Sequence, residues 1–106
     1  MSGQITGNSY YIGSNKLNLT DLGELVTVSS GNTQTYTLEN STRHVFFVIG
    51  AAASNQCILL VGVTSGGTVT DTKLGSASNI TITTGTNSYK IKSASYEAKI
   101  IHLQLV

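Results

Sequence analysis

The chain has 106 residues, a net charge of +1, 10% charged and 40% hydrophobic residues, no Pro or Trp, and one Cys. That length fits a single domain, and so much hydrophobic residue at so low a net charge excludes a disordered polyelectrolyte. Six basic residues scattered without a cluster argue against nucleic acid as a partner, because phosphate binding needs a concentrated basic patch.

The opening, "MSGQITGNSYY", has neither a basic start nor an apolar stretch and does not read as a signal peptide. Residues 1–16 are rich in Gly, Ser and Asn and read as a linker or N-terminal arm, and residues 17–106 as one β domain. No helical period persists anywhere. "LNLTDLGELVTVS" offers a short extended piece, a turn at Asp21–Gly23 and a strand near Glu24–Ser29. After the turn "SGN", Thr33–Leu38 alternates, with Tyr36 and Leu38 on one face and Thr35 and Thr37 on the other. Arg43–Ala52 and Gln56–Thr64 follow as a hairpin, then Thr68–Leu74. Asn79–Thr84 sets Ile80 and Ile82 against Thr81 and Thr83. "TGTN" is a tight turn. Ser88–Ser93 sets Tyr89 and Ile91 against Lys90 and Lys92, and Tyr96–Leu105 closes the chain. About eight strands separated by regular turn signals predict an all-β fold, a single antiparallel β-sandwich, jelly-roll-like.

The run from Val45 to Val63, "VFFVIGAAASNQCILLVGV", is the exception to the alternation. Its length approaches the roughly 20 residues of a spanning helix. Its center, however, carries Asn55-Gln56, with Gly50 and Gly62 toward its ends, which reads as two strands and a turn rather than a membrane insertion. Val45, Phe47 and Ile49 fall on one face and Phe46 and Val48 on the other; Leu59 and Val61 oppose Ile58 and Leu60. In the last strand, Ile101, Leu103 and Leu105 suit a core face and Ala98, Ile100, His102 and Gln104 the other. Strands apolar on both faces need both faces covered, and one sandwich has one interior. Either a second copy of the chain covers the other face, or loops and the N-terminal arm do. The first reading is preferred, with Phe46, Val48, Ile58, Leu60 and Ile100 as interface residues; the opposite parity puts Phe47 and Leu59 there instead.

Chemistry-bearing clusters are scarce. The five carboxylates, Asp21, Glu24, Glu39, Asp71 and Glu97, form no close pair, and His44 and His102 each lack a second ligand at metal spacing. Cys57 opens an apolar strand, where a thiol stays neutral and inert. "TSGGT" lacks the G-K-S/T of a phosphate cradle. No catalytic site, metal or cofactor is expected.

The segment "TYTLENSTRHVFFVIGAAASNQCILLVGVTSGGTVTDTKLGSASNITITTGTNSYKIKSASYEAKIIHLQLV" resembles C-terminal head or knob domains of phage tail-fibre and receptor-binding (minor structural) proteins, in strand order and texture over about residues 33–106. The resemblance implies a homotrimeric β-sandwich knob on a virion, joined to the remainder of a fibre or tail and binding a host cell-surface saccharide. A purely structural virion protein without a ligand is the alternative. Sugars stack on rings and hydrogen-bond to amides, so the candidates for carbohydrate binding are Tyr36, Tyr89, Tyr96 and Asn87. Tyr10, Tyr11, Asn32 and Asn55 are further aromatic and turn residues of the same kind. For each Tyr the competing role is packing, and for each Asn it is turn formation.

Overall fold

The computed structural model describes the backbone of residues 9–12 and 15–18 and all of residues 24–105. β1 (Ser9–Ile12) and β2 (Asn15–Asn18) pair with one another and with neither of the larger sheets. This hairpin straddles the boundary expected at residue 17. The other residues of the expected arm and the turn at Asp21–Gly23 lie outside the described residues. The sandwich is built from β3 (Glu24–Val28), β4 (Thr33–Thr37), β5 (Thr42–Gly50), β6 (Cys57–Val63), β7 (Val69–Leu74), β8 (Ile80–Gly85), β9 (Ser88–Ser93) and β10 (Ala98–Leu105). Eight antiparallel strands form a five-stranded sheet, β3-β10-β5-β6-β7, and a three-stranded sheet, β4-β9-β8, the all-β sandwich that the alternation predicts. The pairs β3/β10 and β4/β9 wind across both layers as in a jelly roll, while β5, β6 and β7 run as a meander within one sheet. Among the described residues no helix is long and apolar enough to cross a membrane.

Turn chemistry sets the strand ends. Thr86–Asn87 makes the two-residue β8–β9 connection, with Asn87 left-handed at φ 54°, a conformation Asn tolerates well. Between β5 and β6 a short 3-10 turn, Ala53–Asn55, folds back on Gly50, where an added Cβ would stand 2.5 Å from that of Asn55. Asn55 is fully buried there. Its amide donates to Ser93 Oγ and Ser95 O, both at 2.8 Å, and its Oδ1 accepts from Asn79 at 3.0 Å. One satisfied amide thus ties the β5–β6 connection to the β9–β10 turn.

Strand pairing decides which face of each apolar strand turns inward. Phe46 pairs with Leu59 and with His102, and Val48 with Cys57 and Ile100. All share the inner face with Tyr36, Tyr89, Ile91 and Ile80 of the other sheet. The expected interface set is corrected here: Phe46, Val48 and Ile100 are 0%, 1% and 0% exposed inside one chain. Only Ile58 and Leu60 of that set face outward. Likewise Ile101, Leu103 and Leu105 point away from the core, not into it. The physical reason is register: Phe46 opposes Leu59 rather than Ile58 or Leu60, so the five residues cannot share a face.

The edge strand β7 aims Asp71 and Lys73 toward the other sheet. Asp71 accepts the Tyr89 hydroxyl at 2.8 Å, and the Lys73 ammonium donates to Ala77 O at 2.8 Å. Charges directed inward from an edge strand block edge-to-edge pairing with another sheet.

Candidate functional site

The four carbohydrate candidates do not converge. Tyr89 is fully buried and Tyr36 is 8% exposed. Both are core residues, and the apolar partners at two-residue spacing, Leu38 and Ile91, were already the signal for that. Asn87 spends its amide on Leu38 O and Asn40 Oδ1, each at 2.7 Å, and so holds a turn. Tyr96 alone displays its ring, at 64% exposure. It does so from a left-handed backbone, φ 69°, costly for an aromatic residue and held by Ser30 Oγ on its N–H and Ser93 Oγ on its carbonyl. Ile49, Gly50, Ala51, Glu97 and Lys99 line a shallow depression beside it. Asn32 is an exposed turn residue; the side chains of Tyr10 and Tyr11 lie outside the described residues.

The structure also assembles a polar chain that single-strand periodicity does not show. Phe46 stacks on His102 at 4.4 Å with an interplanar angle of 4°, and Tyr36 meets both rings edge-on, at 4.8 Å from Phe46 and 5.0 Å from His102. His44 Nδ1 lies 2.8 Å from His102 Nε2, and His44 Nε2 lies 2.7 Å from Thr42 Oγ1. The Thr42 hydroxyl has one hydrogen, which it donates to Glu39 O at 2.6 Å. It therefore accepts from His44 Nε2–H, His44 Nδ1 is an acceptor, and His102 Nε2–H donates to it. Burial lowers the pKa of both rings, and for His44 the neighboring His102 lowers it further. The pair is held neutral. A first proton has room on His102 Nδ1, whereas a second destroys the N–H···N bond.

Other ionizable groups are silenced by burial. Burial, aided by Glu24, pushes the Tyr36 phenol up to about 12; its hydroxyl has no hydrogen-bond partner among the described residues. Tyr89 is raised by burial and by donating to Asp71. Burial raises the Cys57 thiol, opposed only in part by Lys73, which leaves a poor nucleophile. Among the described residues no three His, Cys, Asp or Glu side chains gather at metal-holding distance.

Among the described residues, the outward face of the five-stranded sheet carries a contiguous apolar field. Cross-strand register aligns Leu25, Ile101, Phe47, Ile58 and Leu74 in one row across all five strands. Leu103, Val45 and Leu60 form the next row, ending on Thr72. Leu25 is 61% exposed, Leu74 48% and Leu60 44%. Leu105, Arg43, Gly62 and Thr70 make a third row, and Thr27, Lys99 and Ile49 flank the opposite end.

No protein family, no curated protein and no solved structure matches the chain.

Proposed function

We propose that the chain is a non-catalytic β-sandwich module of a phage tail fibre or comparable virion appendage, which assembles from copies of itself through the outward face of its five-stranded sheet. The five-strand apolar row Leu25–Ile101–Phe47–Ile58–Leu74 supports the self-assembly; the placement on a virion rests on the sequence resemblance alone. Five strands about 4.8 Å apart and the two apolar rows about 6.8 Å apart project to roughly 330 Å². That lies within the roughly 300–600 Å² of the largest apolar patch on a monomer, a size that often marks a functional surface. At about 25 cal/mol per Å², covering it gives a gross transfer energy of roughly 8 kcal/mol before association entropy is subtracted. A second copy is the partner that brings a matching apolar face at equal concentration. Three copies around an axis is the arrangement that the resemblance to fibre knobs implies.

Sedimentation at micromolar concentration tests this. Assembly predicts a species at a multiple of 11.1 kDa, and Leu60→Glu reduces it to the monomer with the β spectrum intact. A wild-type chain that stays monomeric under these conditions refutes the reading.

Recognition of a host saccharide is a second reading, favored by one observation: the exposed Tyr96 ring on its left-handed backbone, which the core does not need. It predicts glycan-array binding that Tyr96→Ala abolishes. Binding unaffected by that change removes Tyr96 as the platform.

A further inference from the structure

Gly62 is the penultimate residue of β6, paired on both sides with Arg43 and Thr70, where glycine costs backbone entropy and contributes no packing. Its neighbors do not demand it: a Cβ there would meet only Thr70 Oγ1, at the ordinary contact distance of 3.6 Å, and its φ is not positive. Gly50 is different, excluded from growing by Asn55, and so is Gly67, with φ 87° and Asn87 against it. A glycine paired on both sides within a sheet, without an internal reason, marks a place where something else approaches the backbone.

What surrounds Gly62 says what that is. It lies on the outward face between Arg43 of β5 and Thr70 of β7. Two adjoining open depressions of about 370 and 320 Å³ share Arg43, Gly62 and Thr70 in their walls, and Asp71, whose Oδ2 accepts the Tyr89 hydroxyl, also lines the first; together they leave room for a small ligand against the sheet. Val45, Leu60 and Leu105 close one side, and Thr72 adds a second hydroxyl from β7. Arg43 is exposed, and among the described residues the one ion pair is Lys99 with Glu97, so the guanidinium has no carboxylate partner there.

We infer that this groove binds an anionic sugar unit, with the Arg43 guanidinium on its carboxylate or phosphate, the Thr70 and Thr72 hydroxyls on its ring hydroxyls, and Val45, Leu60 and Leu105 against its C–H face. A planar fork of donors pairs with a two-oxygen anion, short hydroxyls exchange hydrogen bonds with ring hydroxyls, and the bare Gly62 backbone lets the ring lie against the sheet. The site lies at the end of the outward face, where the third row, Leu105–Arg43–Gly62–Thr70, meets Val45, Leu60 and Thr72 of the second.

Amide chemical-shift titration of the intact chain with D-glucuronate, glucose 6-phosphate and glucose tests it. Shifts clustered at Arg43, Leu60–Gly62 and Thr70–Thr72 are expected with a charged sugar, at least about tenfold tighter than with glucose; the tighter of the two charged sugars identifies the oxyanion. Gly62→Val fills the groove and should melt no lower than the wild type, yet weaken binding at least about tenfold. If Gly62→Val fails to fold, Gly62→Ala replaces it, with about a threefold loss expected. Arg43→Gln should abolish the preference for charge. Three results overturn the inference: charged sugars bind no better than glucose, a folded Gly62→Val binds as well as the wild type, or no sugar shifts the groove while light scattering shows that Gly62→Val alters assembly. In the last case the dimple is a contact between copies.

Discussion

The two sheets of this sandwich turn opposite chemistries toward the outside. The three-stranded sheet presents Thr33, Thr35, Thr81, Thr83, Lys90 and Lys92, all exposed. The five-stranded sheet presents Leu25, Phe47, Ile58, Leu60, Leu74 and Ile101. Both faces come from pleated antiparallel strands, so backbone geometry does not separate them. The difference is what each face is adapted to meet. Threonine and lysine suit a pleated surface in water, whereas a contiguous aliphatic field is retained only when something covers it. The fold needs one apolar face per sheet, and the five-stranded sheet has two.

The sharpest way to break this comparison uses two adjacent phenylalanines. Phe46→Ala removes a ring packed against Tyr36, Tyr89 and His102 and should cost about 3–5 kcal/mol in urea unfolding of the isolated monomer. Phe47→Ala, one residue on, should cost about 1 kcal/mol or less there and weaken assembly instead. Equal losses from both would erase the distinction between the faces. Next in size, Ile58→Glu with Leu60→Glu places two charges in the apolar field. Assembly should weaken by about 30-fold or more while the β spectrum is kept, as sedimentation equilibrium reads it.

The histidine pair gives a smaller, pH-dependent effect. A histidine in the unfolded chain titrates near pH 6.5, and both folded values lie lower. Between the folded and unfolded values the unfolded chain binds more protons, so this contribution to stability is complete above about pH 6.5 and declines as the pH falls below it. The melting temperature should drop through that window, and a His44→Gln/His102→Gln double variant should flatten the slope. A wild type that melts at the same temperature on both sides of the window contradicts the neutral, hydrogen-bonded pair. The smallest effect is expected on the polar face: Thr83→Ala or Lys90→Ala should change stability by about 0.5 kcal/mol or less and leave assembly unchanged. A large effect there would mean that the threonine face also has a partner.

The sequence by itself determined that the chain is a sandwich and where its strands run. Alternation and turn residues place β3 to β10 within about two residues of their observed ends, because period two and residues such as Asn87 and Gly67 act locally. It also carried the inward face of the strands that alternate cleanly: Tyr36 with Leu38 and Tyr89 with Ile91 stand opposite Thr and Lys, a pattern that buries both tyrosines although each also reads as a candidate for carbohydrate binding. Tertiary structure decided the parity of β5, β6 and β10. Their two faces are nearly equal in hydropathy, so Phe46 and Phe47 are interchangeable until register sets Phe46 against Leu59 and beneath Tyr36 and Tyr89. The His44–His102 bond, between residues 58 apart, and the Arg43–Gly62–Thr70 groove were likewise out of the sequence's reach. Both are built across neighboring strands, and only the pairing of those strands brings their members together.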